Sequence, residues 1–278
     1  SFFADIYHGV EDAISAAGYR AVVTASDYSA EKEQSILSDF RDKGVEGVVM
    51  APVYVGRTKG ADEMLQELIA DGFPVTFVDV TLPGYDVDFV TSDNKHGGYL
   101  AARHLLQLGH RRIGFVVGVD CSSVRGRIEG YQKALAEAEI EYDDLLIKRS
   151  YIGFTGEDSG CRNARELLHM SDPPTAIMTS SDCQALGVYR MCYEMGVDIP
   201  DGISVVGYND LPYTNSLVPP LTTVRQPKYE MGKTAGELLL RRIRGEADGP
   251  EKVVLENEFV ERSSCGAQVV GAADYTEE

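Results

Sequence analysis

A set of polar and aromatic side chains falls at or just after the ends of apolar runs that read as β-strands. Asp79 closes the run 75–78, and Arg125 lies on the loop and helix start after 113–117. Ser181 and Asp182 follow 175–178, Asn209 and Asp210 follow 203–206, and Gln226 follows 222–224. Phe154 follows an extended segment near 145–147, and Phe2 and Phe3 stand at the head of the chain. Carboxylate, amide and guanidinium groups offer planar, paired donors or acceptors that match adjacent hydroxyls. Aromatic rings offer flat apolar faces to the C–H face of a sugar ring. Parallel α/β sheets bind ligands just outside the carboxyl ends of their strands, so this inventory suits a small polyhydroxylated molecule. Turns also begin at strand ends and gather polar residues there, so position alone leaves a turn-forming role open.

Catalytic chemistry has no comparable set. The sequence holds no G-x-G-x-x-G, P-loop, G-x-S-x-G or H-E-x-x-H motif. Asp86, Asp88 and Asp93 read as solvated loop carboxylates rather than a metal site. His104 and His110, beside a helix, read as solvated as well. The reading is therefore of a non-enzyme that needs no metal and no cofactor.

The positioning elements follow from periodicity. Phe3, Ile6, Tyr7, Val10, Ile14 and Ala17 recur at helical spacing, and Gly18 stops that helix. Ser29 caps a second helix, with Glu31 and Glu33 in its positive first turn and Ile36, Leu37 and Phe40 inward. Strands are expected at 21–24, 47–51, 75–78, 113–117, 175–178 and 203–206, and extended segments at 252–255 and 258–260. Helices carrying 64–69, 100–108, 128–135, 164–168, 185–192 and 231–243 alternate with them. Several helices end at glycine and lead within a few residues into an apolar strand, which indicates βα units and parallel sheets covered on both faces. A parallel sheet normally has a strand ahead of its first helix, so the first strand is expected to lie outside this chain. The small, acidic last residues, 271–278, read as a loose tail.

The chain has 278 residues, enough for roughly two domains of ~150 residues and a core that needs no staples. Its 26 basic and 44 acidic residues leave a net charge of −18, a field that repels phosphate and argues against direct nucleic-acid binding. Five cysteines (121, 161, 183, 192 and 265) form no C-x-x-C pair, which reads as buried free thiols in a reducing, cytoplasmic compartment. No apolar run reaches the ~18 residues of a membrane span, and no signal peptide opens the chain.

Several segments, in order, resemble the effector-binding core of the LacI/GalR transcription regulators. They include Phe2-Phe3-Ala4, Ser92-Asp93-Asn94 with Gly97-Gly98, and Arg125-Gly126-Arg127-Ile128-Glu129-Gly130-Tyr131. The most telling are Pro174-Thr175-Ala176-Ile177, Ile203–Asp210 and Pro219–Pro227. The resemblance implies an α/β fold of two Rossmann-like subdomains with parallel sheets, of the periplasmic binding protein type I architecture, joined by three crossovers. One subdomain would hold 1–91 plus 226–255, the other 92–225 plus 256–270. It also implies ligand contacts from Asp79, Arg125, Phe154, Asn209 and Gln226, with Phe2 and Phe3 as a hydrophobic wall. Ser181 stands where asparagine is common in sugar-binding members, and Val80 where many have arginine.

By the same resemblance the partners are a small-molecule effector, a sugar by preference, and a second copy in a homodimer. DNA would be met only through a helix-turn-helix that this chain does not contain, and no membrane is involved. An exported sugar-binding protein of a membrane transporter uses the same fold and is the alternative; the unpaired cysteines and the 203–210 and 219–227 segments argue against it.

Overall fold

Apolar runs too short to be helices form strands wherever a neighbour supplies hydrogen bonds, and the glycine-stopped helices then cover both faces of the resulting sheets. In chain order the elements are α1 (Phe2–Ser15), α2 (Ala30–Asp42), β1 (Val48–Met50), α3 (Lys59–Ala70), β2 (Val75–Val78), β3 (Asp88–Ser92) and α4 (Asn94–Gln107). There follow β4 (Ile113–Val117), α5 (Ser122–Glu137), β5 (Ile147–Arg149), α6 (Gly156–Leu168), β6 (Ala176–Thr179) and α7 (Asp182–Met195). The chain continues through β7 (Ser204–Asn209), β8 (Thr222–Arg225), α8 (Lys228–Ile243), β9 (Lys252–Leu255) and β10 (Glu258–Val260). The structure is a computed structural model that describes residues 1–153 and 155–266. Phe154 and the expected tail 271–278 lie outside the described residues.

Two compact units emerge. The first comprises Ser1–Asn94, Val119–Gly126 and Gln226–Asn257; the second comprises Lys95–Gly118, Arg127–Arg225 and Glu258 onward. The first unit's sheet has the order β1-β2-β3-β9, parallel throughout. The second has the order β10-β8-β7-β6-β4-β5, parallel except for β10, which runs antiparallel to β8. This is the α/β, parallel-sheet architecture that the sequence indicates.

Each strand sends alternate side chains to opposite helical layers. In β2, Val75 and Phe77 pack with Leu37, Leu65 and Leu68 of α2 and α3, while Val78 packs with Ile6 and Met231 of α1 and α8. In the second unit, Val116, Ile177 and Val205 face Leu167, Val188 and Met191 of α6 and α7. On the other face Phe115 meets Tyr131 of α5 at 5.5 Å, and the Tyr131 hydroxyl donates to the Ile113 carbonyl at 2.9 Å. Fully buried strands thus read as continuous apolar runs because both neighbours are apolar.

Helix pairs touch backbone to backbone. A Cβ on Gly187 of α7 would fall on the Glu157 carbonyl of α6, and one on Gly160 of α6 would fall on the Gln184 carbonyl of α7. Close approach, rather than backbone freedom, requires glycine here.

Several expectations need correction. Residues 21–24 form no strand: no strand pairs with them, and Val22 and Val23 are 75% and 66% exposed. An extended segment without a hydrogen-bonded neighbour does not become a strand. Asp88 is not a solvated loop carboxylate. It opens β3, is buried, accepts two hydrogen bonds from Arg242 at 2.7 and 2.9 Å, and also accepts from the Glu251 amide at 2.6 Å. His110 is buried, its Nδ1 2.9 Å from Thr175 Oγ1 and its Nε2 3.0 Å from Ser204 Oγ, at the amino ends of β6 and β7. His104 is packed on Phe259 at 4.8 Å, and burial lowers its pKa. The cysteines are all free; Cys192 is buried, which pushes its thiol up to about 11, but Cys183 is exposed at the start of α7.

Gly187→Ala is expected to cost at least ~1–3 kcal/mol by overpacking, read as a lower midpoint in chemical denaturation. Gly249→Ala, where a Cβ meets nothing within 4 Å, is the control and is expected to shift it little.

Candidate functional site

Parallel strands deliver their last residues to one edge of each sheet, where ligands of α/β folds bind. In the first unit Asp79 follows β2 directly. Its backbone is left-handed (φ 63°), its amide donates to the Val90 carbonyl at 2.9 Å, and its own carbonyl accepts from Thr91 Oγ1 at 3.1 Å. The side chain is buried. A left-handed aspartate is costly unless the surroundings enforce it, and such strain collects at functional positions. Gln226 is also buried and donates through Nε2 to Ser92 Oγ at 2.8 Å, fastening the segment after β8 to the end of β3. Phe2 and Phe3 meet edge to face at 5.1 Å on the first turn of α1. Phe2 packs against the α1–α8 core, while Phe3 is exposed. Arg125, near the start of α5, is paired bidentately with Asp120 at 2.8 and 2.6 Å and lies over the Tyr54 ring at 5.0 Å.

In the second unit Asn209 is the last residue of β7. It is buried, and its φ of 114° is again a conformation that side-chain-bearing residues rarely adopt. Ser181 is the N-cap of α7, its hydroxyl accepting from the Gln184 amide at 3.3 Å. The neighbouring Asp182 is not the cap. It is buried, and its two oxygens accept from the Leu211 amide and the Thr223 hydroxyl, each at 2.7 Å. The hydroxyl that caps is the one a residue earlier in the chain, because the N-cap oxygen stands just outside the helix and accepts from an unpaired amide of its first turn.

A buried cation at the strand ends that the sequence reading did not single out is Arg127. Its side chain is buried, its guanidinium lies 3.8 Å over the Tyr208 ring, and Nη1 donates to the Ser180 carbonyl at 2.5 Å. Around it, Ser180 Oγ accepts from the Gly118 amide at 2.7 Å and donates to Gln184 Oε1 at 2.8 Å, while Gln184 Nε2 donates to Ser150 Oγ at 3.1 Å. The carboxyl ends of β4, β5 and β6 are thereby joined by a buried polar network that fixes their geometry. The signal in the sequence was periodicity: Val124, Arg127, Tyr131 and Leu135 share one helical face, and all four are buried. An arginine on an apolar stripe marks a cation with a buried task.

Thus the first unit brings together Asp79, Arg125, Gln226 and the two phenylalanines as members of one compact body, and the second holds Ser181, Asn209 and Arg127. Among the described residues, no group of three or more His, Cys, Asp or Glu side chains is placed to hold a metal ion. Among them, too, no helix is long and apolar enough to cross a membrane.

Beside Asn209, Asp210 is gripped by Arg225 Nε at 2.7 Å and Arg262 Nη2 at 2.6 Å. Burial works to raise its pKa, but the two guanidiniums outweigh burial and hold the carboxyl below its usual range. A depressed carboxylate stabilises the fold above the unfolded pKa of ~3.9 and loses that contribution as pH falls through the folded value. Asp210→Asn is expected to cost on the order of 3 kcal/mol near neutral pH and to flatten the loss of stability below about pH 4. Urea denaturation across about pH 2.5–7, a span that brackets the ordinary carboxylate value of ~3.9, would measure both.

Comparison with known proteins places the fold in a family. The family model of the periplasmic binding protein-like domain matches residues 102–265, more than half of the chain. The ribose operon repressor of Haemophilus influenzae is 33% identical over 266 residues, covering 95% of this chain and 77% of the relative. A solved complex of the transcriptional regulator CelR with cellobiose superposes with a TM-score of 0.86 at 32% identity, covering 95% of this chain and 79% of the other. A LacI family transcriptional regulator from Enterococcus faecium, solved with bound ribose, superposes with a TM-score of 0.83 at 29% identity, covering 96% and 94%. These relatives are transcriptional regulators, not enzymes. On the matched domain, the near-complete alignment and the strand-end geometry together, the chain belongs to the LacI family of transcriptional regulators and corresponds to their effector-binding core.

Proposed function

We propose that this core binds a small, neutral, polyhydroxylated effector, a sugar, through residues at the carboxyl ends of both sheets. The observation that carries the reading is the pair Asp79 and Asn209, each buried and each held in left-handed backbone at the end of its strand. Carboxylate and amide at these positions accept and donate to neighbouring hydroxyls, and Arg127 adds a fixed guanidinium stacked on Tyr208. Gln226, Arg125, Ser181, Phe2, Phe3 and Phe154 complete the proposed set. The cellobiose and ribose held by the two regulators above support a sugar as the chemical class.

In this reading one effector engages both units and draws them together about the segments that link them. It shifts the equilibrium only by its differential affinity for the open and closed states. In a cytoplasmic homodimeric regulator that shift repositions DNA-binding heads, with a coupling of ~1–3 kcal/mol, or about 5–150-fold in DNA affinity. The acidic core itself takes no part in holding DNA.

A thermal-shift screen over neutral mono- and disaccharides is expected to yield a stabilising sugar. Calorimetry with that sugar should then show Asp79→Ala, Asn209→Ala and Arg127→Ala each weakening binding at least about tenfold, the loss of a charge-assisted or buried hydrogen bond. Wild-type affinity in all three would refute the assignment.

A further inference from the structure

The loop after β1 is fixed at unusual expense. The Val53 amide donates to Glu33 Oε2 at 2.7 Å, and the Val53 carbonyl accepts from Arg57 Nη1 at 2.8 Å. Arg57, its side chain 9% exposed, lies between Glu33 at 2.7 Å and the partly exposed Asp62 at 2.6 Å, and the Tyr85 hydroxyl donates to Asp62 at 2.8 Å. Buried ion pairs of this kind add little net stability, because desolvation offsets their attraction. What they secure is the position of a short turn, and the residue that turn presents is Tyr54.

One side of Tyr54 packs against the α2–α3 core. The Arg125 guanidinium lies over its ring at 5.0 Å. Arg125 comes from the excursion Val119–Gly126, which is anchored where Ser122 Oγ accepts from the Thr81 amide at 2.8 Å, two residues past Asp79. Asp79, Tyr54 and Arg125 therefore converge on one edge of the first sheet. Asp120 occupies the Nε–Nη2 fork of Arg125 at 2.8 and 2.6 Å, so the Nη1 amino group stands outside that fork.

We propose that Tyr54 and Arg125 form one layered wall that contacts a sugar ring, and that Asp120 is the positioning residue that aims Arg125; this deepens the sugar-binding reading and rests on it. Tyr54 supplies an apolar flank, and Arg125 donates from Nη1 to a hydroxyl while Asp120 holds its other edge. Because the guanidinium is already stacked and paired, little rotamer entropy remains to be lost on binding. Because Asp120 neutralises its charge, the wall favours a neutral sugar over a sugar phosphate.

The sequence contains no tryptophan, so Tyr54→Trp introduces a single indole as reporter. Titration of that protein with D-ribose and with cellobiose is expected to change the indole emission with the midpoint that calorimetry gives. In the unliganded protein, adding Arg125→Ala should increase acrylamide quenching of the indole. Asp120→Asn should weaken neutral-sugar binding about three- to tenfold with an unchanged Tm, and should narrow the preference for D-ribose over D-ribose 5-phosphate. If the indole is not accommodated, calorimetry on Tyr54→Ala replaces the emission arm, with a similar loss expected. A sugar that raises the wild-type Tm while leaving the emission and the Asp120→Asn affinity unaltered overturns the wall and spares the sugar reading. If no sugar of the screen, D-ribose and cellobiose included, binds the wild-type protein, the sugar reading falls and the wall with it.

Discussion

Parallel pairing is the constraint on which the rest depends. Every strand except β10 runs alongside its neighbour in the same direction, so all the chain reversals at the carboxyl ends crowd one edge of each sheet. That edge gathers backbone groups with no further strand to bond and side chains that cannot retreat into the core. Asp79 and Asn209 sit there in left-handed backbone that aspartate and asparagine adopt with less strain than bulkier residues. Recognition chemistry at this edge is a consequence of sheet geometry before it is a consequence of any ligand.

The charged clusters at the strand ends serve that edge and its counterparts. Asp88 with Arg242 ties α8 to β3 and the start of β9; Asp210 with Arg225 and Arg262 ties the turn after β7 to β8 and the segment after β10. Glu33, Arg57 and Asp62 fix the loop after β1. None of these sets is a good source of net stability, since the buried members must be stripped of water and the exposed ones, Arg225 and Asp62, are screened by it. Each one fixes a segment that leaves or enters a strand, and a binding surface built on loops needs that restraint to hold its geometry.

Helix packing meets a complementary demand. Two-faced sheets require a helical layer on each side, and α6 and α7 approach closely enough that Gly160 and Gly187 leave no room for a methyl group. The same close contact occurs between α1 and α8, where a Cβ on Gly9 would fall on the Tyr229 carbonyl. Bulk on these faces would lift the helices and loosen the sheet edges they support.

Periodicity and punctuation determined the elements: the helical stripes, the Ser29 cap with Lys32 donating to its hydroxyl at 3.1 Å, and the apolar strands are local properties of the chain. Strand-end position likewise marked Asp79, Asn209 and Gln226, because a parallel sheet makes the end of a strand a predictable place. What local pattern could not decide was pairing. Residues 21–24 look like a strand but have no neighbour, and 88–92, which begins with an aspartate, becomes one because β2 and β9 flank it and Arg242 neutralises the charge. The same holds for His110 and Arg127, whose burial is set by elements far away in the chain. Composition and spacing therefore marked the helices and most of the strands, whereas tertiary contact decided whether 21–24 and 88–92 pair and which polar side chains are buried, since the free energy of burying charge depends on partners that only the folded chain brings close.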